Sequence, residues 1–450
     1  MLAVLLNKFK ELFDKESKTL FKNSSWVFIA NTYGVALAFI RSVVIARGLG
    51  AEILGIYTVI VAFVFTVQEI IKLNTPLGVI KYAPQFLSQN EPNKVVSLIK
   101  ASVIASMASA LFSVLFIIGL TYLTYDFFFD IPGLEKFIIL YAIINGIGFL
   151  DNIGRAALKV FYKFKVNSIV QITMDTFEII TITGCIYFFH NNLNYFFYAV
   201  IISKLLNSII CNLFVFIELR KELSLYLNSK IYLIQNQYAE IRNFVIGNSF
   251  SNTLKTFLNQ GDVLMLNLWG SHAAVGFYIV SKKLAYAILT VTDPLVTSIY
   301  PQVSHLVSKN KFPELRAMLF KITKVALIPV SIFTIIVFVF KGDIIAVIYG
   351  EDFRKAAITF FICFIGAAQG STFFWCLPLI QGLGLTSIRL KAYLIAILVD
   401  VIIAWSLTPK FGAVGVAIGL LVANIIITSM FIFNANKKIN HEISTLHPAI

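Results

Sequence analysis

The chain has 450 residues, of which 58% are hydrophobic and 13% charged, with a mean hydropathy of +0.83. A soluble chain of ordinary composition carries about 25% charged residues, so this composition excludes a soluble globular protein and leaves a polytopic membrane protein. In that class a net charge of +14 reports orientation and contact with anionic lipid rather than with nucleic acid.

Residues 1–22 place Leu2, Leu5, Leu6, Phe9, Leu12 and Phe13 on one side of a helix, with Lys8, Lys10, Lys15 and Lys18 elsewhere. The pattern predicts an amphipathic cytoplasmic segment lying on the membrane surface, not a cleavable signal. A bilayer is spanned by about 20 apolar residues, and six such stretches follow, at 26–46, 53–73, 95–120, 137–158, 168–189 and 195–217. A basic interval at 218–243 interrupts them. Six more run 244–268, 273–299, 319–340, 356–379, 387–407 and 414–433, before a tail at 434–450. The predicted class is therefore an all-α polytopic membrane protein with twelve transmembrane helices. Its N-terminal six-helix lobe covers 23–217, its cytoplasmic linker 218–243, its C-terminal six-helix lobe 244–433 and its cytoplasmic tail 434–450.

Loop charge supports this count. With the N-terminus cytoplasmic and helix ends counted with the loops they adjoin, 26 of the 37 Lys and Arg residues fall on the cytoplasmic side and six on the far side. The remaining five, Arg41, Lys204, Lys255, Lys282 and Lys283, lie within spans. Omitting the seventh span, the least apolar, would invert every later loop and destroy the positive-inside bias. Both termini are thus predicted to be cytoplasmic. The halves also repeat: "GLGAEILGIY" and "TPLGVIKYAPQ" in the first have counterparts "LWGSHAAVGFY" and "DPLVTSIYPQ" in the second. Because both halves begin on the same side, they are parallel repeats.

The seventh span opens with "NSFSNTLKTFLNQGD". Asn248, Asn252, Lys255, Asn259 and Asp262 step by four, three, four and three, which puts all five on one helical face. A charge at the bilayer centre costs about 2.5–3.5 kcal/mol on insertion scales, and unpaired amides in hydrocarbon add to that. The stripe therefore predicts a water-filled chamber within the membrane. In the eighth span Lys282, Tyr286 and Asp293 share a face, with Lys283 beside them; in the fifth, Asp175 and Glu178 do. Asp400 is central in the eleventh, and Arg41 lies toward the outer end of the first.

The four cysteines form no C-x-x-C pair, and neither a phosphate-binding G-x-x-x-x-G-K-[ST] loop nor an H-E-x-x-H motif occurs. Neither a metal centre, a cofactor nor direct ATP use is expected, and no cluster in the short loops suggests an enzyme.

The run "ARGLGAEILGIY", the opening "VGFYIVSKKLAYAI" of the eighth span, Pro-Gln after spans two and eight, and "PKFGAVGVAIGLLVANIII" resemble polysaccharide and O-antigen flippases of the multidrug/oligosaccharidyl-lipid/polysaccharide exporter superfamily. The resemblance covers nearly the whole chain. It implies two MATE-like lobes in the bacterial inner membrane that move an undecaprenyl-pyrophosphate-linked glycan to the outer leaflet by alternating access. It further implies H+ or Na+ as coupling ion and polysaccharide assembly enzymes as neighbours. In that reading Arg41, Asn248, Asn252, Lys255, Asn259, Lys282, Lys283 and Tyr286 bind substrate. Asp175, Glu178, Asp262, Asp293 and Asp400 are candidates for ion coupling. Two competing readings are a drug/cation antiporter of the same superfamily, whose cavity should be acidic or aromatic, and a membrane polysaccharide polymerase or ligase, which needs a larger outward loop.

Overall fold

The computed structural model describes residues 15–446 apart from 130, 190–191 and 225–228. The expected surface helix at 1–22 lies mostly outside these residues. Among the described residues the chain is helical, with short connections and no strand. Helix α1 runs Lys15–Ile71. Its 57 residues would span about 86 Å if straight, nearly three bilayer thicknesses. Gly50 breaks it, at φ 80° and ψ 177°, a conformation that glycine adopts without the Cβ clash of other residues. Helices α2 (Thr75–Ser88), α3 (Pro92–Phe128), α4 (Glu135–Val160), α5 (Phe164–Phe189) and α6 (Leu193–Leu223) follow. After a 3-10 turn at Ile231–Gln237 come α7 (Tyr238–Trp269), α8 (His272–Ser308) and α9 (Phe312–Tyr349). A second 3-10 turn, Glu351–Ala356, leads to α10 (Ala357–Thr372), α11 (Cys376–Gly382), α12 (Thr386–Phe411) and α13 (Ala413–Leu446).

Nine of the described helices are long and apolar enough to cross a membrane, or ten if the bent α10–α11 stretch is one span. The first of them, Ser25–Ile71, contains the Gly50 break, and the polar α7 is not among them. An all-α multi-pass membrane protein is what the composition predicted. In α9 only 6% of the most apolar window is buried, and Phe320, Ile328, Phe333 and Val339 stand exposed. Such a surface is stable against lipid and not against water.

The chain forms two compact units. One comprises the described residues up to Arg41 together with Val67–Phe250; the other comprises Ser42–Thr66 and the described residues from Ser251 onward. The sequence-based boundaries placed 42–66 in the N-terminal lobe, whereas its contacts are with the second unit.

In the first unit, α2 is an amphipathic helix that buries Val79, Tyr82, Ala83 and Phe86 against α3, α4, Ile234 of the 3-10 turn, and Ile241 and Val245 of α7. Tyr82 donates to Glu240 at 2.9 Å, and its ring meets Phe244 edge-on at 5.8 Å. The interval expected to be a linker is therefore docked. Ser97 donates to the Lys230 carbonyl at 2.8 Å and Lys100 to that of Ser229 at 3.0 Å.

In the second unit the core joins Val303, Leu315, Trp375, Leu379, Phe431, Ala435 and Ile439. Residues 434–446 thus continue α13 and contribute Ala435 and Ile439 to the core, in place of a separate tail. Arg47 donates to the carbonyls of Val347 and Ile348, with 2.8 Å to the latter. A cation at this position satisfies the last carbonyls of α9 and favours its negative end. Ser42 and Tyr349 hydrogen-bond at 3.0 Å beside it.

A close backbone approach in this unit lies within the sequence repeat. A Cβ added at Gly55 would sit 1.7 Å from the His272 carbonyl oxygen, and one added at Gly276 would sit 1.9 Å from that of Ala51. When "AEILGIY" is aligned with "HAAVGFY", Ala51 matches His272 and Gly55 matches Gly276. Each glycine therefore packs on the backbone residue equivalent to the one its counterpart touches, the reciprocal pattern of a two-fold contact.

Candidate functional site

The second unit holds a buried charge cluster. Asp262 of α7 is 1% exposed and Lys282 of α8 7%. The Lys282 ammonium is ion-paired with the Asp262 carboxylate and donates to the Asn259 carbonyl at 2.8 Å. Tyr278 donates its hydroxyl to Asp262, whose other oxygen accepts from the Val263 N–H at 2.8 Å. The ammonium lies 5.8 Å from the Tyr278 ring centre and 6.0 Å from that of Tyr286, within the range in which an aromatic face attracts a cation. This one lysine is thus held by carboxylate, carbonyl and two rings.

Asp400 of α12 is 4% exposed and is electrostatically coupled to Asp262 and Lys282. A Cβ at Gly419 would lie 2.6 Å from Asp400 Oδ1, so the absence of a side chain there makes room for the carboxylate. Oδ1 has no hydrogen-bond partner among the described residues. A buried carboxylate oxygen without a donor is costly, and a bound proton or cation removes that cost.

The first unit holds a second cluster. Arg41 of α1 pairs with Glu178 of α5 at 2.6 Å, and Lys204 of α6 approaches the same carboxylate at 4.0 Å. Asp175, one turn earlier, is coupled to Glu178, Arg155, Arg41 and Lys204. Its Oδ2 lies 2.8 Å from where a Cβ on Gly34 would be. Tyr33 and Thr176 hydrogen-bond at 2.8 Å across the same helix pair. Glu178 and Asp175 are therefore embedded in cationic surroundings, in which one added proton would weaken two ion pairs.

The α7 stripe divides along its length. Asp262 is buried, whereas Lys255 and Asn259 are exposed, and Lys255 has no ion partner among the described residues. Asn252 is half-buried, and Asn248 donates to the Phe244 carbonyl of its own helix at 2.8 Å. Here, residues that share a helical face are not the ones that pair. Asp262 is matched by Lys282 of the next helix, not by Lys255 of its own. Asp293 is exposed and without an ion pair among the described residues, so it does not serve Lys282. The reason is distance: residues two or three turns apart on one helix are about 11–16 Å apart, whereas facing side chains of packed helices touch. Lys283 is half-buried.

Sequence reasoning left out Tyr278, which joins the cluster, and a polar set on α4 and α6. There Ser208 and Asn212 both donate to Asp151, at 2.7 and 2.5 Å. Asp151, Arg155 and Lys159 recur every four residues, a helical spacing that marks one face.

A family profile described as polysaccharide biosynthesis protein matches residues 20–307. No curated protein sequence matches the chain. Among solved structures, an inward-facing multidrug resistance transporter of the MATE family, MOP superfamily, aligns with a TM-score of 0.68 at 13% identity over 91% of this chain and 96% of its own. The lipid II flippase MurJ, in an inward closed conformation, aligns with a TM-score of 0.68 at 13% identity over 91% and 87%. A MOP superfamily transporter from Pyrococcus furiosus, described as having a binding pocket of reverse polarity, aligns with a TM-score of 0.55 at 12% identity over 94% and 96%. At these identities the likeness establishes the fold.

Proposed function

The chain belongs to the polysaccharide biosynthesis protein family, and from that premise we propose that it flips an undecaprenyl-pyrophosphate-linked oligosaccharide from the cytoplasmic to the outer leaflet of the bacterial inner membrane. The movement proceeds by alternating access of the two proposed six-helix lobes and is driven by H+ or Na+. Twelve spans result if Gly50 separates two crossings, the bent α10–α11 stretch is one crossing and α7 is another. Both termini are then cytoplasmic.

The observation that carries this reading is the exposed Lys255 near the middle of α7, flanked by Asn252 and Asn259, with no ion partner among the described residues. A lysine at that depth needs water or an anion. A lipid-linked diphosphate is such an anion, and charge-assisted donors are the groups that replace its hydration. The asparagine amides both donate and accept, as sugar hydroxyls require. Asp262 and Asp400 lie beside a fixed ammonium, so binding or loss of one small cation would change the charge balance of the lobe.

The test compares Lys255→Ala with Lys255→Arg in cells. Surface polysaccharide is normalised to membrane-inserted protein. The alanine variant is expected to lose at least tenfold and the arginine variant to keep a measurable part. Undiminished polysaccharide in Lys255→Ala would overturn the assignment of this lysine.

A further inference from the structure

A second cationic pocket lies wholly within the first unit, away from Lys255 and Lys282 in chain and in unit. Its volume is about 330 Å3, at the lower end of the range for small-molecule sites. Lys72, Arg155 and Lys159 line it, and no carboxylate does. Lys72 is shared with Glu69 at 3.2 Å, and Asp151 and Asp175 act on Arg155 electrostatically from outside the lining. Lys159 is exposed and forms no ion pair among the described residues.

Unsatisfied polar atoms mark the same pocket. Ser168 is 1% exposed and Asn167 7%. The Ser168 hydroxyl, the Asn167 side-chain oxygen Oδ1 and the Arg155 Nε have no hydrogen-bond partner among the described residues. Two of these groups can donate, and buried donors without acceptors are rare in folded proteins. The helices add to this polarity. Pro76 and Leu77 open α2, and Asn167 and Ser168 lie in the first turns of α5. Two helix N-termini therefore line the pocket; the Leu77 and Asn167 N–H groups donate to the Asn74 and Lys163 carbonyls, so these ends contribute only their partial positive charge. On the proposed topology this end of α4 and α5 is cytoplasmic.

We propose that this pocket binds a diphosphoryl group and is where the charged head of a lipid-linked glycan first docks, before it reaches the lysines of the second unit. The choice of a lipid-linked ligand rests on the flippase reading; the pocket's affinity for a phosphoryl anion does not. Arg155 offers the planar donor fork that matches phosphate oxygens, Lys159 a mobile ammonium at the mouth, and Ser168 a hydroxyl at the floor. The volume suits a small anion and leaves no room for several sugars, so the glycan must extend outward past the exposed Asn31 and Asn152.

The experiment is calorimetric titration of the full-length protein in zwitterionic nanodiscs with inorganic pyrophosphate and with farnesyl diphosphate. Both are expected to bind. Lys159→Gln and Ser168→Ala should each weaken binding several-fold, and Arg155→Gln with Lys159→Gln at least tenfold. Lys159→Arg should retain affinity, and Lys311→Gln, a cytoplasmic change in the other unit, should not alter it. Thermal melting of each variant separates lost binding from lost fold, and the conservative Lys159→Arg variant reads the charge alone. Equal affinity in wild type and the double variant, or no binding by wild type, would overturn the proposal while leaving export, measured in cells, as a separate test of the flippase reading. Displacement of pyrophosphate by phosphatidylglycerol, but not by farnesyl diphosphate, would assign the pocket to bulk lipid and equally overturn it.

Discussion

Lys282 and Asp262 have side-chain exposures of 9% and 0%, and removing one member of such a pair leaves the other charge without compensation. Breaking a buried pair in this way costs about 3–5 kcal/mol, more than the pair itself contributes. Lys282→Ala is therefore expected to lower the melting temperature of the purified protein sharply. Adding Asp262→Asn should recover most of that loss, whereas adding Asp293→Ala should not. Recovery with Asp293→Ala would mean that the ion pair is misassigned. Asp400 makes a different prediction because one of its oxygens has no donor. Asp400→Asn should leave the protein folded but make transport into proteoliposomes indifferent to an imposed H+ or Na+ gradient; a retained gradient response would exclude Asp400 as the coupling group. The polar character of α7 was legible from residue spacing alone, but its division was not. Lys255 and Asp262 are seven residues apart and differ by about 20° around the helix, yet one is exposed and the other buried. Burial there depends on Lys282 and Tyr278 of another helix, and no periodicity within α7 encodes where α8 meets it.

At the scale of elements, the repeat gains a physical meaning. Gly55 and Gly276 are equivalent in the two halves, and each lets the other half's backbone approach to a distance that no side chain permits. Gly55→Ala and Gly276→Ala should then harm the protein to a similar degree, each by about 1–3 kcal/mol of overpacking, read as matched falls in melting temperature. A large effect at one glycine and none at the other would contradict the symmetric contact. The repeated motif was visible in the sequence, whereas the pairing of its two copies was not, because a one-dimensional pattern does not say which equivalent surfaces touch. The docked interval before α7 is a similar case. Lys230, Arg242 and their polar neighbours gave residues 218–243 the composition of a linker, while Ile234 and, at the start of α7, Ile241 attach it to α2.

At the scale of the whole molecule, composition and loop charge made the multi-pass helical class legible, because the bilayer leaves no other way to satisfy so much backbone in so apolar a chain. Unit membership was less legible. Ser42–Thr66, on both sides of the Gly50 break, groups with the second unit's helices, a long-range contact that chain order hides. The topology is open to a direct check: a reporter fused at His272 should read outside and one at Lys311 inside. A cytoplasmic signal at His272 would remove the α7 crossing and invert the remaining spans. The central claim, flipping, is tested most directly by reconstituting the purified protein into liposomes loaded on one leaflet with a labelled prenyl-diphosphate-linked oligosaccharide. An ion gradient is imposed, and access of a membrane-impermeant sugar-oxidising reagent is followed. Label is expected to cross to the opposite leaflet with wild type and at least tenfold more slowly with Lys255→Ala. Crossing no faster than in protein-free liposomes, by wild-type protein shown to be folded, would contradict that claim.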